Sequence, residues 1–382
     1  MRCSAVTTVT GLEWLAAYAN TLRFRTALRE DMTTDKDEPP TSPSKRPTIA
    51  DVARLAGVSK GSVSHVFNDR SDIGVSTRLR ILAAAEELGW RPNAAAIALS
   101  RARAMSIGLI MSRSPELLSS DPFFPELLAG IEQVLAPKGY ALLLHMVSDE
   151  GPNERQAYKR LAEAGRVDGV LLTDSRVDDP RYLLVTELNL PAIIIGRVDG
   201  KTSIPWVDDP QQDEVVAESV THLISLGHRR IAYVSGPDRY VHGHRRREAF
   251  ESALRSHSLR SEATISADFT AAGGAKATSE ILESASPTAI IYANDVMAVA
   301  GMGVAQERGL NIPADLSIIG FDDEPLARWT RPALTTVRYH IQAQGAIAAT
   351  ALLRLLDGET FEYLATPRNE LIIRESTAAA PS

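Results

Sequence analysis

Residues 47–68 read PTIADVARLAGVSKGSVSHVFN. Ile49, Val52, Ala53, Leu55 and Ala56 recur at helical spacing, and Gly57 ends that run. Ser59 is placed to cap a second helix carrying Val63, Val66 and Phe67. A helix, a tight glycine-containing turn and a short capped helix make a helix-turn-helix, whose second helix enters the DNA major groove with its first residues facing base edges. The same stretch holds Gly57-Val58-Ser59-Lys60-Gly61, a match to the G-x-S-x-G of hydrolase nucleophile elbows. That elbow needs a buried strand ahead of the serine. An amphipathic helix precedes it here, so the glycine and serine read as turn and cap.

Moving outward, Ile81, Leu82, Ala85 and Leu88 mark a third helix that Gly89 stops. Then follows RPNAAAIALSRARA, where Pro92 sets a helix start. This segment is too short and too weakly amphipathic to be a stable helix alone, and reads as a linker that becomes helical in the right setting. Upstream, the first 44 residues end in DKDEPPTSPS, the composition of a disordered tail; Met32 is an alternative start. The expected organisation is a tail over 1–44, an all-α headpiece over 45–91, a hinge over 92–103 and a core over 104–382.

Charge follows that division. Residues 45–103 hold ten Lys and Arg against five Asp and Glu, a net +5, whereas the chain as a whole is −7. The first 44 residues contribute −1, which leaves −11 on the remainder. A small basic module on a large acidic body is the footprint of a protein that meets phosphate at one end. Cys3 is the single cysteine, which excludes an internal disulfide and a cysteine-based metal site. No apolar run is long enough to span a bilayer, and the first residues lack the pattern of a secretory signal. A soluble, cytoplasmic protein is expected, with no cofactor and no membrane partner.

From Ser106 the texture changes to apolar strand runs at 106–111, 140–147, 169–174, 191–197, 230–236, 289–295, 316–323 and 370–375. Helical patterns lie between them at 127–137, 154–164, 181–188, 213–226, 245–255, 270–283, 296–308 and 341–356. This alternation implies parallel, doubly wound α/β sheets, and about 280 residues suit two lobes. Enzyme signals are weak. Gly301-x-Gly303 sits in a helical pattern, and neither a phosphate-binding G-x-x-x-x-G-K-[ST] nor an H-E-x-x-H occurs. His242-Gly-His244 has no third ligand nearby and reads as a solvated loop. Asp322-Asp323 follow a strand end, where open α/β sheets bind ligands.

TIADVARLAGVSKGSVSHVFN resembles the headpiece of LacI-type (lactose-repressor) transcriptional regulators, and RPNAAAIALS resembles their hinge helix. SIGLI, DPFFPELLAGIE, RVDGVLL, PAIIIGR, HLISLGHRRIAYVSGP, AFESAL, YANDVMAVAGM, LSIIGFDD and PALTTV resemble, in order, signatures of that family's two-lobed, periplasmic-binding-protein-like core. The resemblance runs from about residue 47 to residue 375; the tail has no counterpart.

The resemblance implies site residues. On the DNA side, Thr48 is the first-helix cap, and Lys60 and Gly61 open the recognition helix beside Ser59. Lys60 donates to guanine O6 or N7, or to phosphate. Gly61 has no reading side chain. Ser62, Ser64 and Asn68 are phosphate or cap contacts. His65 stands where many members carry arginine, and offers one donor and one acceptor in place of a fork. Leu99 aligns with the leucine that wedges into a central minor-groove step, with Asn93 and Ala96 on the same face. On the effector side, Phe123, Phe124, Arg197, Arg246, Phe269, Asn294 and Asp322 fall where the family lines its inter-lobe cleft. One of the two phenylalanines reads equally well as core, and Arg245 and Arg247 leave the register of Arg246 open. An aromatic platform with carboxylate, amide and guanidinium groups suits a sugar or a nucleobase.

The resemblance therefore implies a repressor bound as a homodimer to palindromic double-stranded operator DNA, with affinity set by a small molecule, a sugar being favoured. A purine- or nucleoside-responsive regulator is the alternative, and a sugar-binding protein or enzyme with an appended headpiece is a third. The chain ends in STAAAPS without leucine heptads, so a dimer is expected and not a tetramer.

Overall fold

The computed structural model describes residues 47–67, 73–91, 103–113, 121–147 and 151–381. The expected tail, Asn68, and the hinge residues Asn93, Ala96 and Leu99 lie outside the described residues. Two compact units divide the chain after Asn93.

The first unit contains helices α1 (Ile49–Ala56), α2 (Lys60–Phe67) and α3 (Val75–Glu87). Asp51 fastens the start of α1, accepting from the backbone N and the hydroxyl of Thr48 at 2.9 and 2.7 Å. Gly57 takes the left-handed conformation that ends α1, at φ +65°. Ser59 Oγ accepts from the backbone N of Ser62 at 3.1 Å, which caps α2. Val52, Ala53, Ala56, Val63, Val66, Ile81, Ala84 and Ala85 form the core. Leu55 and Leu82, expected to point inward, are instead 47% and 41% exposed. Helices of about two turns bury a narrow stripe, and Val52, Ala53 and Ala56 already fill it on α1.

The second unit carries strands β1 (Ser106–Met111), β2 (Ala141–Met146), β3 (Gly169–Leu172), β4 (Ala192–Ile195), β5 (Trp206–Asp208), β6 (Ile231–Ser235), β7 (Thr264–Ser266), β8 (Ala289–Tyr292), β9 (Ser317–Ile319), β10 (Thr336–Arg338), β11 (Tyr363–Ala365) and β12 (Glu370–Ile372). Its helices are α4 (Phe123–Leu135), α5 (Pro152–Glu163), α6 (Pro180–Glu187), α7 (Gln212–Ser225), α8 (Val241–Ser256), α9 (Ala271–Ser284), α10 (Asp295–Glu307) and α11 (Ile341–Leu356). Lobe 1 is a parallel sheet in the order β11-β5-β4-β3-β1-β2 and lobe 2 a parallel sheet in the order β7-β6-β8-β9. Apolar clusters cover both faces of the lobe 1 sheet, and a third fills lobe 2.

Three features depart from the sequence reading. The run at 370–375 does not join a parallel sheet; β12 pairs antiparallel with β10 in a separate ribbon. The run at 140–147 is an edge strand with Leu144 exposed, not a buried one. Four of the six three-residue strands (β5, β7, β10 and β11) lie outside any longer apolar run and carry too little pattern to show in sequence. Two of them matter for the site. The chain passes from lobe 1 to lobe 2 after β5, returns between β10 and α11, and leaves again after β11, so three crossings form the hinge.

Helices α4 and α11 pack backbone to backbone. A Cβ on Gly130 would stand 2.0 Å from the Gln342 carbonyl oxygen, and one on Gly345 would stand 2.5 Å from that of Leu127. Alanine gains roughly 1 kcal/mol of helix propensity, but forcing atoms into packed backbone costs about 1–3 kcal/mol or more. The clash wins because neither neighbour is a side chain that can rotate away. Gly130→Ala is expected to lower the melting temperature of the chain by several degrees; a melting temperature equal to wild type would contradict the close approach.

Candidate functional site

The C-terminal edges of the two parallel sheets face each other across one cleft of about 710 Å³, its open mouth included. Open α/β sheets bind ligands at this edge, because the loops there are free of the crossover helices. All seven residues expected around an effector line it: Phe123, Phe124, Arg197, Arg246, Phe269, Asn294 and Asp322. Arg113, Asp121, Asp174, Ser175, Asp208, Gln212, His242, Tyr339 and Gln344 line it too and were not singled out as effector contacts. Arg113, Asp174 and Asp208 follow or end strands, so the strand-end rule that flagged Asp322 also covers them.

Lobe 1 supplies the first wall. Phe123 and Phe124, the first residues of α4, meet edge to face at 5.3 Å, and Phe123 stacks on Tyr339 at 6.5 Å. Phe124 is also part of the lobe 1 core. Arg113 forks onto Asp174, with Nε to Oδ2 at 3.0 Å and Nη2 to Oδ1 at 2.9 Å, and lies 4.2 Å above the Tyr240 ring. Burial works against ionisation of Asp174, but the Arg113 guanidinium outweighs it and holds the group down at about 2. Arg197 is less available than expected: it reaches Asp213 at 3.0 Å and the Pro210 carbonyl at 3.2 Å.

Lobe 2 supplies the second wall and settles the register. Arg246 is the buried member of its triplet; it donates to the Ala293 carbonyl at 2.9 Å and lies 3.5 Å over the Phe321 ring. Arg245 turns to Asp213 at 2.7 Å and Arg247 to Asp238 at 3.1 Å. Asn294 is partly committed: its Oδ1 accepts from Met297 N and its Nδ2 donates to the Phe269 carbonyl, both at 3.0 Å. One N–H and one lone pair are left for a ligand. Phe269 fits because residue 236 is glycine; a Cβ there would stand 1.9 Å from its ring. Asp174, Phe269 and Asp322 all have positive φ, at 52°, 68° and 118°, so backbone strain gathers at the cleft.

The Asp322-Asp323 pair divides. Asp322 faces the cleft, and burial raises it well above the carboxylate range. Asp323 is held instead by Arg338 at 2.8 Å and by Arg374. His242 and His244 are not in a solvated loop but in the first turn of α8. His242 is half-buried in the cleft wall, stacked 5.6 Å from Tyr240. Burial, and then Arg246, push it down to about 3, so its imidazole is neutral. His244 pairs with Glu248 at 3.4 Å. Among the described residues no three His, Cys, Asp or Glu gather as metal ligands, and no helix is long and apolar enough to cross a membrane. Gly301 packs against the Tyr292 hydroxyl, which accounts for the small residue in that helix.

In the headpiece, Lys60 and Gly61 are exposed at the start of α2, and Ser64 and His65 follow one turn later on the same face. Ser62 Oγ is 3.0 Å from Ser59 Oγ, so this pair belongs partly to the cap. A Cβ on Gly61 would meet only Ser59 Oγ, at 3.5 Å. Packing therefore does not require glycine there.

Asp208 is 1% exposed, and burial pushes it up to about 7. A carboxyl whose folded-state value is raised leaves the fold most stable below its unfolded value near 4, and that stability is lost as pH rises through 7. The expected penalty at pH 8 is on the order of a few kcal/mol. Asp208→Asn is therefore expected to melt above wild type at pH 8 and level with it near pH 4; thermal scans across that range check it, and a constant difference would contradict it.

Residues 48–93 match the family model described as bacterial regulatory proteins, lacI family, and residues 220–377 match a periplasmic binding protein-like domain. The chain is 37% identical to an HTH-type transcriptional regulator in the aml 5′ region of Streptomyces limosus, over 87% of this chain and 95% of that one. It is 33% identical to the HTH-type transcriptional regulator MalR of Streptomyces coelicolor, over 87% and 97%. Among solved structures, a lac repressor dimer bound to operator and the anti-inducer ONPF superposes with a TM-score of 0.79 at 29% identity, covering 88% of this chain and all of that one. A complex of the transcriptional regulator CelR with cellobiose gives 0.67 at 30% identity, covering 87% and 100%.

Proposed function

We propose that this chain, which belongs to the LacI family of bacterial regulatory proteins, is an effector-responsive repressor that binds a palindromic operator as a homodimer and takes a sugar in its cleft. Family membership makes it a DNA-binding transcriptional regulator and not an enzyme. The observation that carries the sugar reading is the polar content of the cleft. Asp121, Asp174, Asp208 and Asp322 converge there with Arg113, Arg197 and Arg246 beside aromatic faces. Asp174, held ionised by Arg113, only accepts hydrogen bonds, whereas burial favours the protonated forms of Asp208 and Asp322, which also donate. A set that both donates and accepts calls for a ligand that does the same, and a sugar presents such a hydroxyl on almost every carbon, whereas a nucleobase has few polar groups, all in its plane. The CelR relative, solved with cellobiose, supports this reading.

Coupling to DNA follows from how the chain enters the core. The Asp168 carboxylate accepts from the backbone N of Ala104 and Met105 at 2.6 and 2.8 Å, and Arg103 reaches the Leu356 carbonyl at 2.6 Å and Asp357 at 3.0 Å. The end of the 92–103 linker is thus pinned to lobe 1. A sugar that closes the lobes favours one of two states, and the pinned entry passes that bias to the linker.

Fluorescence anisotropy with palindromic DNA tests the operator reading. The full chain is expected to bind with strong salt dependence, and a chain of residues 104–382 is expected not to bind. Equal binding by both, or by neither, sinks it. Asp168→Ala is expected to leave sugar affinity within about twofold while cutting the sugar-induced change in operator affinity several-fold; an unaltered change would show that the pin does not transmit.

A further inference from the structure

The two lobes also meet on the side of the cleft away from the hinge. Val241 N donates to the Ser175 carbonyl at 2.9 Å, and Val177 N donates to the Arg239 carbonyl at 3.1 Å. Residues 175–177 of lobe 1 and 239–241 of lobe 2 thus pair as a short antiparallel ladder centred on Arg176 and Tyr240. These segments follow β3 and β6. In lobe 1, β4 separates β3 from the hinge strand β5; in lobe 2, β8 and β9 separate β6 from the crossing that carries β10. Side chains bridge the same gap. The Arg113 guanidinium, from lobe 1, lies 4.2 Å from the centre of the Tyr240 ring and 5.8 Å from that of Phe269, both from lobe 2. A guanidinium is attracted to a ring face within about 6 Å.

Each half of the ladder is firmly mounted. In lobe 1, Arg176 Nη2 donates to Glu154, which also accepts from Ser112 Oγ at 2.7 Å. Asp179 accepts from Arg176 N at 3.1 Å and from Arg181 Nη2 at 2.6 Å, and Arg181 reaches the Asp174 carbonyl at 2.9 Å. Glu154, Arg176, Asp179 and Arg181 are all buried. Buried charges are costly unless paired, and these pair with one another around the loop that presents Ser175 and Val177. Asp174 and Asp178 in that loop both take positive φ, 52°, a strain that persists where the surroundings dictate the backbone. In lobe 2, Tyr240 N donates to the Pro237 carbonyl at 3.1 Å, and a Cβ on Gly243 would stand 2.7 Å from that same oxygen. The turn before α8 is folded tightly enough to hold Tyr240 in place.

We propose that Tyr240 is a positioning residue: with the ladder it lies on, it clasps the two lobes through the protein's own atoms, independently of any effector, and holds Arg113 beside Asp174 as a ready contact for one. The clasp favours the closed arrangement, so an effector spends less of its affinity on moving the lobes. It also biases the state in which the regulator meets DNA, and this regulatory half rests on the operator reading above.

Double electron–electron resonance tests the clasp on the full, ligand-free chain diluted with unlabelled chain. Spin labels go on Gln156→Cys in α5 and Ser252→Cys in α8, both exposed, with Cys3→Ser removing the native thiol. The parent chain is expected to give one narrow distance. Val241→Pro removes a ladder donor at a position that suits proline, the first residue of α8 after an extended Tyr240 at φ −90° and ψ 132°. Val241→Pro and Tyr240→Leu are each expected to broaden the distribution toward longer distances, whereas Tyr240→Phe, which keeps the ring, is expected to match the parent. A broad parent distribution overturns the clasp. An unchanged distribution in a folded Val241→Pro chain overturns the ladder, and one in a folded Tyr240→Leu chain overturns the positioning role; should one chain not fold, the other decides. Tyr240→Phe behaving as Tyr240→Leu overturns the hold on Arg113 through the ring. Fluorescence anisotropy reads the regulatory half: Val241→Pro is expected to change ligand-free operator affinity by about fivefold or more, and a change under about twofold in a chain whose lobes have opened overturns it. A parent chain that binds no operator overturns the operator reading instead, and the distances still decide the clasp.

Discussion

The backbone contact between α4 and α11 is the constraint on which the cleft depends. Two helices approach this closely only where both lack a side chain, and Gly130 and Gly345 meet that condition from opposite sides. The contact fixes where each helix begins. Phe123 and Phe124 are the first residues of α4, and Tyr339 and Gln344 flank the start of α11, so one packing decision aligns the aromatic wall with a buried amide. Neither glycine lines the cleft, yet together they set the geometry of residues that do.

Desolvation governs the chemistry of that wall. Asp174 and Asp208 end up along the same sheet edge, the first half-buried and the second fully so, but their proton affinities diverge, at about 2 and about 7. A bidentate guanidinium makes the difference: Asp174 has one and Asp208 does not. The cleft therefore joins settled ion pairs to carboxyls that stay energetically open, the division expected where part of a site is scaffold and part waits for hydrogen-bond donors.

The sequence disclosed these parts unevenly. The helix-turn-helix was legible because Gly57 and Ser59 act locally, through a left-handed turn and a cap that need no distant partner. The long strand and helix runs were legible through periodicity. Four of the six three-residue strands, β5, β7, β10 and β11, were not, since three residues hold barely one alternation and no longer apolar run surrounds them; β9 and β12 showed only as parts of such runs. The absence of those four from the reading hid the hinge and, with it, Asp208. Seven effector-side residues were found by resemblance and strand-end position, and they do converge. What stayed hidden was how each side chain is already engaged: that Asn294 caps a helix, that Arg197 serves Asp213, and that Arg246, not its neighbours, turns inward. Those facts depend on contacts between segments far apart in the chain, which no local pattern records.

The three crossings after β5, before α11 and after β11 have a mechanical consequence. A single strand joining two bodies lets them swing and twist in every direction. Three strands side by side remove most of that freedom and leave rotation about the line that runs through them. One backbone and one side-chain hydrogen bond brace the joint: Thr366 N donates to the Asp208 carbonyl at 2.9 Å and Asn369 N to the Asp209 carboxylate at 3.0 Å. Two crossings also carry cleft residues, Asp208 on one and Tyr339 on another. The lobes then have essentially one path open to them, and a bound molecule touches the axle of that motion as well as its jaws.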